Sequence, residues 1–313
     1  MPGMEGANLD IVAFGEPMVE FNQTHGDVRS YLQGFGGDSS NFVIAAARQG
    51  AAVGYVTGLG DDSHGRMLAD LWRAEGVDAS RVKIDANAHT GIYFVTHDEG
   101  GHHFTFVRAG SAASRFAPVD VPLDYVAGAR VTHFSGISLA ISASACDACY
   151  AAAAAAKAAG RLVSFDTNLR QKLWSKDRAR AVITDVIGLA DICLPSYDDV
   201  ATLTGIDDAD ALVDFALQRG AKIVALKLGS RGALVADTKG RHVIPPYPVE
   251  AVDATGAGDT FGGAFVARIL AGDDLEAAGR YAAIAAALST TGYGAVEPIP
   301  RKARVEQALR AWA

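Results

Sequence analysis

The stretch DATGAGDTF, residues 253–261, joins a glycine-rich turn to a carboxylate and an apolar run. The apolar run predicts a helix that begins directly behind the turn. A helix N-terminus exposes unpaired N–H groups and carries a partial positive charge. Gly256 and Gly258 allow the backbone to approach a ligand closely and to point those groups at it. The turn therefore predicts an anion cradle suited to a phosphoryl group.

Asp259 follows the turn and lies in the first turn of the predicted helix. Because the helix dipole favours the ionised carboxylate, we expect Asp259 to be able to accept a proton. A hydroxyl group held between Asp259 and a phosphate would then be deprotonated as it attacks, and general-base help of this kind contributes about 10²–10⁴ in rate. The amides of the cradle would stabilise charge on the transferred group. The residue types alone leave a second interpretation open, in which Asp253 or Asp259 only caps the helix.

The order of predicted elements indicates the fold class. Apolar and β-branched runs predict strands, and amphipathic or alanine-rich runs predict helices. The predicted strands are residues 9–14, 52–57, 130–136, 162–168, 191–196, 222–229 and 233–237, and the predicted helices include 39–49, 64–76, 142–160 and 177–190. Strands that alternate with helices imply right-handed crossovers, so we expect an α/β fold with a mostly parallel sheet flanked by helices. Ser39 or Ser40 is the expected N-cap of the helix at 39–49.

One segment departs from this alternation. Residues 90–108, TGIYFVTHDEGGHHFTFVR, contain two β-branched and aromatic runs around DEGG. This pattern predicts a β-hairpin. Together with residues 17–35, the hairpin would form a small sheet outside the α/β core.

Several polar clusters fall where predicted strands end. They are Gly15-Glu16, Ser135-Gly136, Asp166-Thr167-Asn168, Pro195-Ser196 and Lys227-Leu228-Gly229. Ligands of open parallel sheets bind beyond the carboxyl ends of the strands. The clusters therefore predict a binding site at that edge of the sheet.

Composition excludes several classes of function. The chain has 313 residues, 50% of them hydrophobic, and a formal net charge of −8. The acidic balance argues against a nucleic-acid surface, and no apolar run is long enough to cross a bilayer. The first ten residues, MPGMEGANLD, lack the layout of a signal peptide. Three cysteines make a disulfide framework improbable, so we expect a cytoplasmic protein.

Two long motifs resemble the signatures of one enzyme family. VDATGAGDTF is similar to the C-terminal signature of the ribokinase-like (PfkB) sugar kinases. Residues 36–65, GGDSSNFVIAAARQGAAVGYVTGLGDDSHG, resemble the first signature of that family. The resemblance covers nearly the whole chain. It implies one ribokinase-like kinase domain over residues 1–313, with a Rossmann-like core and a small β-sheet lid from about 17–35 and 90–108.

The resemblance also implies roles for individual residues. Asp259 would be the catalytic base, and the anion hole would be formed by Gly256, Ala257 and Gly258. The nucleotide would lie along the strand and turn KLGSRG and beside the helix that ends near residue 289, so that the nucleotide-binding residues are Lys227, Gly229, Ser230, Gly232 and Ser289. Many members carry an N-x-x-E motif that supports magnesium. The matching stretch here runs from Ser196 to Asp199, so Asp199 would act on Mg²⁺ through water.

The expected substrate is a sugar acid. FDTNLRQKLW, DICLPSYDDV, HFTFVRAGSAAS and HFSGISLAIS resemble the 2-keto-3-deoxygluconate kinase branch of the family. Arginine suits a planar carboxylate because its guanidinium makes two parallel hydrogen bonds. The implied substrate-binding residues are Gly36, Gly37, Asn41, Tyr93, Phe106, Arg108, Asp166, Asn168 and Arg170. Some relatives have a tyrosine where this chain has Phe106, so one hydrogen bond to the substrate is expected to be missing or replaced.

The sequence thus predicts an ATP- and Mg²⁺-dependent kinase that converts 2-keto-3-deoxygluconate to its 6-phosphate. A fructokinase or another neutral-sugar kinase of the family is the alternative. A regulator that binds a sugar or nucleotide on a kinase scaffold is a second alternative, which an intact Asp259 disfavours. A Rossmann dehydrogenase is a third, disfavoured because Gly58-Leu59-Gly60 lacks the last glycine of the dinucleotide fingerprint. A monovalent cation as a further ion and a homodimer through the lid are also expected.

Two other signals have simpler interpretations. Cys146 and Cys149 form a C-x-x-C pair in an alanine-rich predicted helix, with no second pair nearby, and are read as buried small residues. His102 and His103 follow the DEGG turn and lack carboxylates at metal-binding spacing. They are read as the exposed tip of the hairpin or as a lid contact.

Overall fold

The computed structural model of the protein describes residues 9–24, 27–98 and 101–312. The strands are β1 (Leu9–Phe14), β2 (Met18–Thr24), β3 (Asp27–Gly36), β4 (Val53–Val56), β5 (Gly58–Gly60), β6 (Lys83–Asp85), β7 (Ile92–Asp98), β8 (Gly101–Val107), β9 (Ala129–Ser135), β10 (Leu162–Asp166), β11 (Ile192–Cys193), β12 (Ile223–Lys227), β13 (Ala233–Asp237) and β14 (Arg241–Ile244). The helices are α1 (Asp38–Arg48), α2 (Ser63–Ala74), α3 (Leu123–Ala127), α4 (Gly136–Ala140), α5 (Ala143–Ala158), α6 (Lys176–Leu189), α7 (Tyr197–Thr204), α8 (Ala209–Arg219), α9 (Ala257–Ala271), α10 (Leu275–Ser289) and α11 (Lys302–Ala311). Short 3₁₀ segments lie at Ala113–Arg115, Pro118–Asp120 and Gly229–Arg231.

The main sheet has eight strands in the order β14-β13-β12-β11-β10-β9-β1-β4. Neighbouring strands from β12 to β4 run parallel, and only β13 and β14 are antiparallel to their neighbours. Apolar side chains fill both faces of the sheet, with α1, α9 and α10 on one face and α5, α6 and α8 on the other. The predicted mostly parallel sheet flanked by helices is therefore confirmed.

A second sheet is built from the two segments that the sequence sets apart. Its four strands have the order β3-β2-β7-β8, and we call it the small sheet. The hairpin pairs β7 with β8 in antiparallel register, while β2 joins them through a parallel pairing with β7. The predicted small sheet is confirmed, although residues 99–100 of the DEGG turn lie outside the described residues.

Local differences from the predicted elements have physical causes. The N-cap of α1 is Gly37 rather than Ser39 or Ser40, because its positive φ of 105° turns the chain directly into the helix. The two serines lie inside the helix instead, where the Ser39 hydroxyl pairs with Tyr55 and the Ser40 oxygen accepts from Trp72. The strand predicted at 191–196 is reduced to Ile192–Cys193, since proline at 195 has no N–H for the ladder.

The remaining sequence signals resolve simply. Cys146 and Cys149 are buried, free thiols on α5, in agreement with their interpretation as small core residues. His103 belongs to β8, in which it pairs with Thr96 of β7. Among the described helices, none combines the length and the apolar character needed to cross a membrane.

Candidate active site

The predicted functional residues converge on the carboxyl edge of the main sheet. Asp166 ends β10, Lys227 ends β12, and Asn41 lies in the first turns of α1. A hydrogen bond from Asn41 Nδ2 to Asp259 Oδ2, 2.9 Å long, joins the start of α1 to the start of α9. Parallel strands leave this edge open, and two helix N-termini bring their partial positive charge to it.

The turn before α9 has the geometry of an anion cradle. Gly256 is the N-cap and has a φ of 76°, a conformation that side chains rarely adopt. A Cβ atom there would lie 2.9 Å from the carbonyl oxygen of Ala295. The N–H groups of Gly258 and Asp259 belong to the first turn of the helix and have no carbonyl partner within it. The Ala257 N–H donates to the Ala254 carbonyl oxygen at 3.2 Å, so it would have to leave that bond to bind an anion.

Asp259 has the electrostatics of a general base. Asp259 is partly exposed, and the hydrogen bond from Asn41 orients its carboxylate. Burial of the carboxyl group, reinforced by the negative charge of Asp38, raises the pKa of Asp259 to about 7. A base with a pKa near the working pH transfers protons most efficiently.

Lys227 lies between the cradle and β10. Its ammonium group forms a largely buried ion pair with the Asp166 carboxylate. A Cβ atom built on Gly258 would lie 3.5 Å from Lys227 Nζ, so the ammonium is close to the cradle. A phosphoryl group in the cradle would therefore lie close to the Lys227 ammonium, which it would share with the Asp166 carboxylate, as well as to the helix dipole.

The glycine pair at the end of β3 is crowded rather than free. A Cβ atom on Gly36 would lie 2.5 Å from the Tyr93 hydroxyl, and one on Gly37 would lie 2.5 Å from the Glu16 carbonyl oxygen. Tyr93 is buried, and its hydroxyl donates to the Glu20 carboxylate on the neighbouring strand. These contacts bring the small sheet against the start of α1.

The two predicted arginines differ in their surroundings. Arg108 follows β8 and forms an ion pair with Glu16, which is fully buried. The Ser111 hydroxyl donates to the other Glu16 oxygen at 2.6 Å. Arg170 is exposed, and its guanidinium donates to the Leu169 carbonyl oxygen at 2.9 Å. The Arg108 charge is thus matched by a protein carboxylate, whereas Arg170 keeps solvent-facing donors.

Two further predicted residues line the same edge. Asn168 has a φ of 26° and, apart from glycines, is the only positive-φ residue in the described ranges. Its N–H donates to Asp166 Oδ1 at 3.2 Å, which closes the turn after β10. Phe106 lies on β8 opposite Tyr93, with ring centroids 5.6 Å apart, and remains exposed.

The predicted nucleotide-binding residues follow β12. Gly229 and Gly232 both have positive φ, and a Cβ atom on Gly232 would lie 2.1 Å from the Ile244 carbonyl oxygen. Ser230 is exposed in the 3₁₀ segment between them. Ser289 differs, since it is buried and its hydroxyl donates to the Ala286 carbonyl oxygen at 2.8 Å. Gly229 and Ser230 border open space, whereas Gly232 is packed against the chain that follows β14 and the Ser289 hydroxyl is used within its own helix.

Asp199 supports the turn after β10 and is not exposed as a ready ligand. Its Oδ2 accepts from the Leu169 N–H at 3.0 Å and from the Thr167 hydroxyl at 3.4 Å. Burial raises the pKa of Asp199, and the charge of Asp166 adds to that effect. Within the described part of the chain, no group of three or more His, Cys, Asp or Glu side chains is arranged to hold a metal ion. The residues fit an ion held chiefly by substrate oxygens and reached through water.

The family of the chain follows from a match to the pfkB family carbohydrate kinases over residues 7–302. The chain belongs to this family. Its members are phosphotransferases with an alcohol group as acceptor.

Similar curated proteins include kinases of two kinds of substrate. The chain is 36% identical to the 2-dehydro-3-deoxygluconokinase of Thermoproteus tenax, over 97% of this chain and 95% of the relative. It is 35% identical to fructokinase-1 of Oryza sativa subsp. japonica, over 96% of this chain and 98% of the relative. Because the two identities are nearly equal, they do not separate a sugar acid from a neutral sugar.

Solved structures share the fold over almost the whole kinase. The PfkB protein from Polaromonas sp. JS666 has a TM-score of 0.87 and 32% identity, covering 95% of this chain and 99% of that one. Fructokinase from Vibrio cholerae O395, solved with fructose, ADP and a calcium ion, has a TM-score of 0.87 and 28% identity, covering 96% and 99%. The ribokinase-like fold predicted from the two motifs is therefore confirmed.

Three carboxylates of the site are absent from the set that the sequence predicts. Asp38 begins α1, Glu16 follows β1, and Glu20 lies on β2 facing Tyr93. Burial raises the pKa of each of them. Two of them had a visible signal, since Glu16 belongs to a polar cluster at a strand end and Asp38 follows the glycine pair of the first motif.

Proposed function

We propose that the chain phosphorylates the terminal hydroxyl of a sugar with ATP, using Asp259 as the general base. The observation that carries this proposal is the hydrogen bond by which Asn41 orients the carboxylate of Asp259, a partly exposed residue at the N-terminus of α9. A protein that only binds sugars or nucleotides has no need of a base with a pKa near 7 beside an anion cradle.

The reaction uses each group for one task. Asp259 takes the proton of the hydroxyl as that oxygen attacks the terminal phosphorus of ATP, the bond from this phosphorus to the bridging oxygen breaks, and ADP leaves. The amides of the cradle and the Lys227 ammonium stabilise the negative charge on the transferred phosphoryl group. Mg²⁺ bound to the nucleotide would neutralise phosphate charge, and Asp199 would contact its water shell. Gly229, Ser230 and Gly232 would lie along the nucleotide.

The proposed substrate is 2-keto-3-deoxygluconate, which would become its 6-phosphate. The Thermoproteus tenax relative supports this assignment, as do two arginines at the site. Arg170 has donors facing solvent, and a carboxylate could also draw Arg108 toward itself in a bidentate pair. Tyr93 and the glycine pair would then border the sugar chain.

Fructose is the second candidate, and one contact favours it. Glu16 already pairs with Arg108 in a buried position, so a substrate carboxylate would have to compete with a protein carboxylate. Glu20 is a further buried carboxylate beside Tyr93 and would repel an anionic substrate. The fructokinase relatives agree with this alternative.

A phosphorylation assay separates the two candidates. The wild type would be given ATP with 2-keto-3-deoxygluconate, fructose or ribose, and kcat/KM would be measured for each. We expect the acid to be preferred, and Arg108→Ala and Arg170→Ala to lower its kcat/KM by about 10- to 100-fold while affecting fructose much less. Arg66→Ala, which changes an exposed arginine, is the control. A preference for fructose that neither variant alters would establish the neutral-sugar alternative.

We also propose that two chains pair through the small sheet. Leu32, Phe104 and Val107 are exposed there, and covering them would remove apolar surface from water. Sedimentation at increasing concentration tests this, with Leu32→Glu expected to favour the monomer.

The three free cysteines support a reducing compartment such as the cytoplasm. Activity with and without potassium tests for a monovalent cation.

A further inference from the structure

The carboxylate of Asp166 is already occupied by donors of the protein itself. Asp166 ends β10 and is only 4% exposed. Its Oδ1 accepts a hydrogen bond from the Asn168 N–H at 3.2 Å, and its Oδ2 is in contact with the Lys227 ammonium group. The family resemblance implies that Asp166 binds the sugar, but a sugar hydroxyl would have to share oxygens that already have buried donors. The position of Asp166 therefore indicates a role toward Lys227.

The Lys227 side chain reaches both Asp166 and the anion cradle. It is 12% exposed and begins at the end of β12, and β11 lies between β12 and β10 in the sheet. A Cβ atom built on Gly258 would lie 3.5 Å from Lys227 Nζ and 3.9 Å from its Cδ. Outside α9 and the neighbouring residues of the chain, no other described residue has a heavy atom within 4 Å of that point. The open side of Gly258 therefore faces the ammonium group.

A second buried aspartate of the main sheet has the surroundings of a purely structural ion pair. Asp191 is 3% exposed and precedes β11, at the edge of the sheet opposite to the cradle. Its carboxylate pairs with Lys157 at 2.8 Å and with Lys222 at 2.7 Å, and these lysine side chains are 40% and 70% exposed. It also accepts from the Val163 N–H at 2.9 Å, which joins two segments of the chain. Asp166 differs because its single lysine is buried and lies beside the glycine turn.

The charges of Asp166 and Lys227 both act on the base. Burial and the Asp38 charge raise the pKa of Asp259 most, the Asp166 charge raises it further, and the Lys227 charge lowers it. A lysine ammonium is a point charge on a flexible stem. Without a carboxylate beside it, a buried ammonium loses its proton or moves to solvent. Among the described residues, Asp166 is the only acidic side chain within 4.0 Å of the Lys227 ammonium, so the place of that charge depends on Asp166.

We propose that Asp166 is a positioning residue, which keeps the Lys227 ammonium group charged and beside Gly258, where that group meets the transferred phosphoryl group. This inference rests on the proposed function and gives Asp166 a task in phosphoryl transfer instead of a contact with the sugar. Lys227 is the catalytic residue through which Asp166 acts.

Single variants separate an effect on kcat from an effect on sugar binding. Lys227→Met keeps an apolar stem and removes the charge, so kcat should fall about 10²- to 10³-fold. Asp166→Asn should lower kcat about 10-fold through a displaced ammonium, and leave the KM for the sugar within about twofold of the wild type. Asp191→Asn is the matched control, which should lower the unfolding temperature and keep kcat. A raised sugar KM with an unchanged kcat in Asp166→Asn would show that Asp166 binds the sugar and would overturn the inference.

A double variant shows whether the two residues act as one. Lys227→Met combined with Asp166→Asn should have the kcat of Lys227→Met within about twofold, because Asp166 acts through Lys227. Losses that multiply would contradict the proposal. Lys227→Met alone leaves a buried carboxylate unpaired, whereas the double variant carries neither charge and should unfold at a temperature closer to that of the wild type. If only the double variant folds, a loss in kcat with an unchanged sugar KM supports the inference, and a raised sugar KM overturns it.

Failure of the proposed function has a different signature, namely an absence of wild-type phosphorylation with every sugar of the panel. Calorimetric binding of ATP and ADP would then test the pair by itself. Lys227→Met should weaken ATP binding about 10-fold and ADP binding less than about twofold, because only the terminal phosphoryl group of ATP reaches the ammonium. Asp166→Asn should weaken ATP binding by a smaller factor and leave ADP binding unchanged. Equal losses for both nucleotides, or an ATP affinity that either variant leaves unaltered, would overturn the inference as well.

Discussion

Carboxyl groups at the carboxyl edge of the main sheet and at the periphery of the molecule have pKa values that are shifted in opposite directions. At the periphery, the Glu75 carboxylate receives two hydrogen bonds from Arg48, at 3.0 and 2.7 Å, which hold its pKa below the usual value. At the carboxyl edge, burial raises the pKa of Asp38 and Asp259, and the partner of Asp259 is a neutral amide. The first arrangement stabilises the folded state, and the second is the one that the proposed proton transfer needs.

The two regions therefore respond to pH in opposite senses. A carboxyl group whose folded pKa is lowered stabilises the fold above its unfolded pKa of about 4, and this stability is lost as pH falls through the folded value. Glu75 belongs to this class. A carboxyl group whose folded pKa is raised lowers stability as pH rises from about 4 toward the folded value. Asp259 belongs to that class, with its window ending near pH 7.

The largest expected effect comes from Asp259→Asn. The amide side chain keeps an acceptor for Asn41 but cannot take a proton, so kcat should fall by about 10²- to 10⁴-fold. Nucleotide affinity measured by calorimetry should be nearly unchanged. The unfolding free energy at pH 8 should be equal to or higher than that of the wild type, because a buried charge is removed. Wild-type turnover in this variant would contradict the role of Asp259 as the base.

The peripheral counterpart is Glu75→Ala. This variant should lose stability and keep its kcat, whereas Asp259→Asn should lose kcat and keep its stability. The Arg48 and Glu75 side chains are 7% and 8% exposed, so the change leaves a buried guanidinium without its carboxylate. A cost of about 3 kcal/mol in unfolding free energy is expected, measured by urea denaturation. Glu297→Ala, which removes an exposed side chain close by, should change neither quantity. A kcat loss larger than the loss of stability explains would show that the two regions are coupled.

The sequence predicts those features of the site that are formed within one short segment of the chain. The glycine turn, the helix behind it and the position of Asp259 in its first turn follow from nine consecutive residues, and the alternation of elements predicts the sheet. The hydrogen bond between Asn41 and Asp259 joins residues 218 positions apart, and the sequence does not predict it, although the family resemblance implies that both residues lie at the sugar. The contact between Asp38 and Asn168 joins the start of α1 to the turn after β10, and no single segment encodes it.

For Arg108 and Arg170, too, the sequence predicts the role but not the neighbouring charges. The family resemblance, together with the chemistry of the guanidinium group, predicts carboxylate binding for both arginines, and Arg170 is exposed. The ion pair of Arg108 with Glu16 depends on the small sheet approaching the end of β1. Sequence patterns do not encode that approach. Only the structure therefore shows that the Arg108 charge is already paired with a protein carboxylate.

The pH dependence of activity offers a smaller but sharper measurement. Because Asp259 must be ionised, kcat/KM should rise about tenfold per pH unit below a pH of about 7 and level off above it. Asp38 and Asp166 raise this pKa, while Asn41 and Lys227 oppose them. Asp38→Asn should therefore move the rise to lower pH, whatever its effect on the plateau. A rise at the same pH in both proteins would show that Asp38 does not act on the base.

The smallest expected effect comes from Phe106→Tyr, which adds a neutral hydroxyl to the site instead of changing a charge. Phe106 is 43% exposed and lies opposite Tyr93 on the small sheet, with Arg108 5.6 Å from its ring centroid. A hydroxyl there would add one hydrogen bond to the sugar, so KM should fall about 2- to 10-fold with kcat nearly constant. Phe104→Tyr, at a comparably exposed ring two residues away, is the matched control. An equal fall in both variants would mean that the surface of the small sheet, and not one position beside Arg108, determines sugar affinity.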